Sequence, residues 1–232
     1  DTRFLSDKFA LETAMVLTGA GIHVSLSTSA VPTPTVSFSS LQRGAGGAVV
    51  ITASHNAWQW NGFKIKSPTG SSAATTEVVV VEKHINDVFE NGVRPTRLSP
   101  EQAAAKGLLE YVDLAPPYFE QLGRLVDLDT LRRGKTRIVV DSMHGAGAGY
   151  FRRLLGDNYP MVEIKGESNP AFPGMNQPEP IAVNLQALKA KIIAEKPDVG
   201  LATDGDADRL GVMDENGNCL TQLQVMSLLT MY

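Results

Sequence analysis

The most informative run of this sequence is Asp198-Val199-Gly200-Leu201-Ala202-Thr203-Asp204-Gly205-Asp206-Ala207-Asp208-Arg209. Residues 198–203 are mostly apolar, as in a strand that is buried on both faces. Asp204 then stands at the carboxyl end of that strand, which is the edge where open α/β sheets place their ligand sites. The run therefore predicts an α/β fold with chemistry in the loop after this strand.

Outward from this run, helix-like and strand-like segments alternate along the whole chain. The predicted helices cover residues 8–17, 33–43, 76–92, 117–125, 147–155, 182–195 and 221–232. The predicted strands cover residues 22–26, 48–52, 61–66, 137–141, 161–165 and 198–203. Because strands that alternate with helices form mostly parallel sheets, we predict an α/β protein with two doubly wound, mixed-sheet domains.

Two proline-rich segments interrupt this alternation. Residues 93–117 contain four prolines and little periodicity, so they are the predicted linker, with a domain boundary near Asp113. We therefore expect a first domain of residues 1–113 and a second domain of residues 114–232. Residues 169–180 are too dense in proline for regular structure and are predicted to form an ordered loop.

Composition narrows the class of function. With 232 residues and 43% hydrophobic content, the chain can form a core in each domain. Cys219 is the only cysteine, which excludes an intrachain disulfide, and a net charge of −4 without a basic run argues against a nucleic-acid partner. No stretch is long and apolar enough for a membrane span, so we expect a cytoplasmic protein without a membrane partner. The abrupt start and the helix-like end lead us to expect a fragment of a longer protein.

Three carboxylates alternate with small residues in the loop after residue 203: Asp204, Asp206 and Asp208. Gly205 and Ala207 let the backbone curl, so that the three carboxylates can converge on one centre. Because adjacent carboxylates repel one another, they require a hard divalent cation with oxygen ligands, and Mg²⁺ is the first candidate. Arg209 can neutralise the remaining charge or hold a phosphate oxygen.

Three alternative kinds of loop fit these aspartates less well. An EF-hand would use Glu215 as its last ligand, but it needs Gly where Arg209 stands and helices where apolar strands are predicted. A phosphatase of the haloacid-dehalogenase type would use Asp204 as the phosphoryl acceptor, but such motifs have Thr or Val in place of Asp208. A solvated acidic turn accounts for one or two aspartates, but not for three after a buried strand.

A second polar loop follows the predicted strand at residues 48–52. It contains Ser54-His55-Asn56, whose serine hydroxyl can accept and pass on a phosphoryl group. His55 can transfer a proton or orient phosphate. Lys64 can come back to the serine loop and act there as a cation or an acid/base group. Serine and asparagine are also common in purely structural turns, so this serine loop gains its weight from the aspartate loop.

Both loops resemble those of a known family. Three segments resemble the phosphoserine and metal loops of the α-D-phosphohexomutases: Thr52-Ala53-Ser54-His55-Asn56, Asn61-Gly62-Phe63-Lys64 and Asp204-Gly205-Asp206-Ala207-Asp208-Arg209. Further matches are Asp1-Thr2-Arg3 with Ser6, Thr33-Pro34, Asp141-Ser142-Met143-His144-Gly145-Ala146-Gly147, and the proline-rich segment ahead of residue 198. The resemblance covers essentially the whole chain, and it implies that the two predicted domains are domains I and II of this family.

The resemblance also implies a reaction and the residues that perform it. Phosphate would move between O1 and O6 of a hexose through a hexose bisphosphate, with Mg²⁺ as cofactor. Ser54 would carry the phosphate, and the metal ligands would be this phosphoserine with Asp204, Asp206 and Asp208. The residues that assist phosphate transfer and proton movement would be His55, Lys64 and Arg209, with Arg3 near the same site.

Departures from the family pattern limit what the chain can do alone. Phe63 and Ala207 resemble the phosphoglucomutase/phosphomannomutase branch more than the phosphoglucosamine branch, which indicates glucose and/or mannose. Ala57 replaces the proline of many members. The first strand and the third and fourth domains of the family have no counterpart, so we expect an N-terminal two-domain fragment that is inactive without those C-terminal domains. The alternative is a non-catalytic module that binds metal or sugar phosphate.

Overall fold

The computed structural model describes residues 1–231, and it has the predicted α/β character. The helices are α1 Ser6–Gly19, α2 Thr33–Gln42, α3 Thr75–Glu90, α4 Pro100–Ala105, α5 Ala115–Leu125, α6 Leu128–Gly134, α7 Tyr150–Leu155, α8 Gln186–Glu195 and α9 Gln222–Met231. The strands are β1 Val24–Ser27, β2 Ala48–Ile51, β3 Phe63–Lys66, β4 Leu109–Val112, β5 Ile138–Asp141, β6 Met161–Ile164, β7 Val199–Thr203, β8 Leu210–Met213 and β9 Cys219–Leu220. The fold class predicted from the sequence is confirmed.

The second half of the chain forms one mixed sheet with the strand order β6-β5-β7-β8-β9. Strand β5 is parallel to β6 and β7, whereas β8 and β9 run antiparallel to their neighbours. Side chains alternate between the two faces of β5, so Val139 packs with Leu188 and Ile192 of α8 while Val140 packs with Leu155 of α7. Burial on both faces explains why β5 and β7 read as apolar runs, and it places Asp204 at the carboxyl edge of the sheet.

The first half forms two separate two-stranded sheets. Strand β1 pairs in parallel with β4, and β2 pairs antiparallel with β3. A cleft of about 1330 Å³ is lined by β1, β2 and α1. The described strands of this half therefore form two small sheets, because none of them pairs with both β1 and β2.

The segment predicted as a linker is part of the folded structure. Residues 93–117 contain α4 and β4, and Leu98 donates its backbone N–H to the carbonyl of Met15 in α1 at 3.1 Å. Pro100 occupies the first turn of α4, where a proline costs no hydrogen bond, and Ser99 caps that helix. The prediction of a linker from these prolines is therefore wrong. A domain boundary near Asp113 would fall between β4 and α5, and it stays a prediction.

The remaining predictions concern the end of the chain and the loop at residues 169–180. That loop has no helix or strand, as expected. The helix predicted for residues 221–232 is α9, and Tyr232 lies outside the described residues. Helix α6 was not predicted. None of the helices in residues 1–231 has the length and hydropathy needed to cross a membrane.

Candidate active site

The aspartate loop lies directly after β7 and turns back into β8. Asp204 and Asp206 are fully buried, whereas the side chain of Asp208 is about one third exposed, at 31%. Oδ1 of Asp204 accepts the backbone N–H groups of Asp208 at 2.9 Å and Arg209 at 3.0 Å, which closes the curl of the loop. Ala207 is in the left-handed region with φ of 54°. As predicted from their spacing, the three carboxylates converge, with one oxygen of each within 4.8 Å of the others.

Gly205 lets the two halves of the chain meet. A Cβ atom at this position would lie 2.8 Å from the carbonyl oxygen of Ser54 and 3.1 Å from Cγ of Pro178. Contacts of this length with a backbone atom are not tolerated, so a larger residue would push the two loops apart. The glycine is thus required here by close approach.

The serine loop follows β2 at the same place. Ser54 has a left-handed backbone with φ of 53°, and its N–H donates to Oγ1 of Thr52 at 2.8 Å. Its Oγ donates to Oδ2 of Asp204 at 3.4 Å, and Nδ1 of His55 lies 3.4 Å from the same Oγ. The predicted phosphate carrier and the predicted metal loop are therefore in contact, although they are 150 residues apart in sequence.

Lys64 and Thr33 hold Asp206. Nζ of Lys64 lies 2.8 Å from Oδ2 of Asp206 and 3.6 Å from Oδ2 of Asp208. Oγ1 of Thr33 donates to Oδ2 of Asp206 at 2.7 Å, and the backbone N–H of Thr33 donates to the carbonyl of Asp206 at 2.9 Å. No role was predicted for Thr33, although its place beside Pro34 at the start of α2 could have drawn attention to it.

Two arginines predicted for the site have other partners. The guanidinium of Arg209 forms an ion pair with Glu179 at 3.0 Å rather than with an aspartate of the loop. Arg3 is buried and donates to backbone carbonyls of the serine loop, including that of Ser54 at 2.6 Å. Both lie beside the aspartate and serine loops, but in this structure neither guanidinium pairs with a carboxylate of the aspartate loop.

The pKa values of the two buried carboxylates, Asp204 and Asp206, are shifted in opposite directions. Burial, followed by the charge of Asp206, raises the pKa of Asp204 to about 7. Burial also acts to raise the pKa of Asp206, but hydrogen bonds from Lys64 and Thr33 outweigh it and lower that pKa. At neutral pH the pair therefore retains part of a proton.

The residues fit a hard divalent cation. Oδ1 of Asp206 is buried and has no hydrogen-bond partner among residues 1–231, so the cluster contains a polar atom that needs a partner. All three side chains offer carboxylate oxygens, which are the ligands that Mg²⁺ prefers. An EF-hand is excluded because the strands β7 and β8, rather than helices, flank the loop.

Comparison with known proteins identifies both halves. The family profile described as phosphoglucomutase/phosphomannomutase, alpha/beta/alpha domain I, matches residues 1–92, and the profile for domain II matches residues 116–217. A phosphoglucomutase/phosphomannomutase of Thermococcus kodakarensis is 32% identical in an alignment of 226 positions that covers 94% of this chain and 46% of that protein. A "Probable phosphoglucosamine mutase" of the same organism is 32% identical in an alignment of 235 positions that covers 100% of this chain and 49% of that protein.

A solved structure agrees with these matches. It belongs to a protein of Thermus thermophilus that is provisionally assigned as a phosphomannomutase, and it matches with a TM-score of 0.86 and 38% identity over 100% of this chain and 51% of that chain. The chain spans about half the length of the curated relatives it matches. Its two halves match successive domains of one family, and they bring the serine loop and the aspartate loop together. The chain therefore belongs to the α-D-phosphohexomutase family and carries phosphoglucomutase/phosphomannomutase domains I and II.

Proposed function

We propose that the protein to which this chain belongs moves phosphate between O1 and O6 of a hexose through a phosphorylated Ser54 and a hexose bisphosphate. The observation that carries the proposal is the contact of 3.4 Å between Oγ of Ser54 and Oδ2 of Asp204. A hydroxyl next to an oxygen-rich cation site is what phosphoryl transfer requires, because the protein mainly has to align the reactants and stabilise their charge.

Each half of the reaction exchanges one P–O bond for another. The bond between Oγ of Ser54 and phosphorus breaks while a hydroxyl of the hexose phosphate forms a new bond to phosphorus. The proton of that hydroxyl passes to a base, and Oγ of Ser54 takes up a proton from an acid. The bisphosphate then reorients in the site. In the second half of the reaction, its other phosphate is returned to Ser54. His55, which lies 3.4 Å from Oγ of Ser54, and Lys64 are the proposed acid/base groups.

The aspartate loop would hold the cofactor of this reaction. Asp204, Asp206, Asp208 and the phosphate of Ser54 are the proposed ligands of Mg²⁺. When bound, this ion supplies Lewis-acid stabilisation of the phosphoryl oxygens. Arg209 is proposed to contact phosphate after release from Glu179, since their ion pair is partly exposed and therefore contributes little to stability.

The proposed substrate is a phosphate of glucose and/or mannose. Phe63 and Ala207 support it, since both match the phosphoglucomutase/phosphomannomutase branch. The names of the relatives include phosphoglucosamine mutase, so glucosamine phosphate is the competing substrate to be tested. We further propose that residues 1–113 and 114–232 are the two domains, and that they turn over substrate negligibly without the C-terminal domains of the family, because remote phosphate contacts align the substrate.

The test is transfer of phosphate to Ser54. The full-length protein to which this chain belongs is incubated with Mg²⁺ and glucose 1,6-bisphosphate, and the product is examined by intact mass and peptide mapping. We expect one phosphoryl group on Ser54, and none on Ser54→Ala. Phosphate on a different residue, or equal labelling of Ser54→Ala, would refute the proposed carrier.

A further inference from the structure

We infer that Arg3 and Phe172 act as a pair of positioning residues that set the geometry of Ser54, and that Phe172 does so from the other half of the chain. The effect of this pair on catalysis rests on the proposed function of Ser54. The geometric part concerns the backbone of the serine loop, and it stands on the contacts of Arg3 and Phe172 alone.

Arg3 uses every donor of its guanidinium on the first half of the chain. Nε donates to the carboxylate of Asp1 at 3.1 Å. The four remaining N–H groups reach four backbone carbonyls, which belong to Ser54 at 2.6 Å, Asn56 at 2.6 Å, Ala57 at 3.0 Å and Trp60 at 2.8 Å. Since an arginine has five N–H donors, none is left for a substrate phosphate. Arg3 therefore shapes the serine loop instead of binding the substrate.

The serine loop needs such support because its backbone is strained. Ser54 has φ of 53°, a left-handed conformation that is unfavourable for an L-residue. In this conformation the carbonyl of Ser54 accepts a hydrogen bond from Arg3 at 2.6 Å while the hydroxyl lies 3.4 Å from Oδ2 of Asp204. Charge-assisted hydrogen bonds from a buried guanidinium are strong enough to hold this arrangement.

Phe172 covers the guanidinium from the proline-rich loop. Its ring centroid lies 5.2 Å from Cζ of Arg3, within the range of a cation–π contact. The side chain is 1% exposed, so water cannot approach this face of the guanidinium and compete for its donors. Phe172 is itself left-handed, with φ of 43°, which is a rare conformation for a bulky residue. A strained, fully buried aromatic ring therefore ties the position of the second half of the chain to that of Ser54.

The direct test is hydrogen–deuterium exchange of the peptide that covers residues 53–61. We expect Phe172→Leu, which keeps apolar bulk but removes the ring, to raise exchange in this peptide about tenfold, the size expected for the loss of a desolvated cation–π contact. Leu188→Ala is the matched control, because it lowers stability from the α8 core without touching Arg3, and it should leave this peptide protected. Equal exchange in both variants overturns the inference.

A second arm uses chemical rescue. Arg3→Ala should show the same loss of protection, and added guanidinium at low concentration should restore it, whereas sodium chloride should not. If Arg3→Ala fails to fold, the Phe172→Leu comparison still decides the question. Transfer of phosphate to Ser54 is then measured in the same variants. Slower transfer with unchanged exchange would place Phe172 in contact with substrate and refute the positioning role, whereas an unphosphorylated wild type would refute only the proposed function.

Discussion

The protonation state of Asp204 determines the net charge of the site. Its carboxyl group is fully buried, accepts two backbone N–H groups and lies beside the charge of Asp206. Burial and that neighbouring charge raise its pKa to about 7, so it holds a proton at pH values where an ordinary aspartate is ionised. A divalent cation that binds here has to displace this proton.

This raised pKa predicts how the effect of Mg²⁺ changes with pH. The folded chain binds more protons at Asp204 than the unfolded chain does, so this residue contributes stability below its unfolded pKa of 3.8 that is lost as pH rises through about 7. Mg²⁺ replaces the proton, and we expect it to raise the melting temperature more at about pH 8 than at about pH 5.5. Differential scanning calorimetry with and without Mg²⁺ measures both increments.

The control for this prediction is Asp206→Asn. Removing one carboxylate should abolish most of the Mg²⁺ effect at both pH values. An equal increment at the two pH values in the wild type would mean that Asp204 is already ionised, and would contradict the proton competition.

Some of the site could be predicted from single residues and some could not. The convergence of the three aspartates follows from their spacing and the small residues between them, because these are local properties. The hydrogen bond from Thr33 to Asp206 spans 173 residues, and Phe172 contacts Arg3 from a distant loop, so no local pattern indicates either. The pairing of the serine loop with the aspartate loop was predicted from the family resemblance, because β2 and β7 belong to different sheets and no strand pattern indicates that their loops meet.

At the level of elements, α1 is packed against the segment that was predicted to be a linker. A Cβ atom on Gly19, the last residue of α1, would lie 2.2 Å from the carbonyl oxygen of Thr96 and 2.6 Å from its carbon. Both are backbone atoms, which have no rotamer through which to move away. The end of α1 and residues 96–97 therefore form one packed unit.

This packing predicts the effect of adding one methyl group. Gly19→Ala should lower the free energy of unfolding by about 1–3 kcal/mol, because the clash forces α1 and the segment apart. Gly123→Ala is the matched control within α5, where the new Cβ would meet only Leu128 at 3.5 Å, and it should be neutral or stabilise by up to about 1 kcal/mol. Urea denaturation of the two variants measures the difference. Equal stability would indicate that residues 96–97 do not pack as described.

Elements were predictable where burial gives a simple pattern. Strands β5 and β7 are buried on both faces and read as continuous apolar runs, so their predicted bounds agree with the structure within one residue. In the segment at residues 93–117 the prolines suggested a loop, although Pro100 begins a helix. The pairing of β1 with β4 joins strands about 85 residues apart, and a strand sequence does not encode its partner.

At the scale of the molecule, the site lies where the two halves of the chain touch. Contacts across this junction include Thr33 with Asp206, Lys64 with Asp206 and Ser54 with Asp204. Gly205 packs against the carbonyl of Ser54 at this junction. Each half supplies a part of the chemistry that the other lacks, so the proposed activity depends on their relative position.

We therefore predict that Gly205→Ala separates the halves. The new methyl group would lie 2.8 Å from the carbonyl oxygen of Ser54, and relief of that clash should slow phosphate transfer to Ser54 by about a hundredfold, as expected for a displacement near 1 Å. The rate is followed by intact mass with glucose 1,6-bisphosphate as donor. Gly46→Ala serves as the control, since a Cβ there meets no atom within 4 Å. If Gly205→Ala transfers at the wild-type rate, the two loops do not need this contact.

Lys64 gives the aspartate loop a counter-ion of its own. Its ammonium group, 2.8 Å from Asp206, is tethered and cannot diffuse away, so any entering ion competes with a permanent local cation. Sodium and potassium carry the same single charge without the tether, and they gain little by replacing it. A divalent ion adds a second charge and can displace both the lysine and the proton on Asp204. We therefore expect the loop to select ions by valence before size, and a lysine released from the carboxylates would be free to act on the phosphate in the proposed reaction.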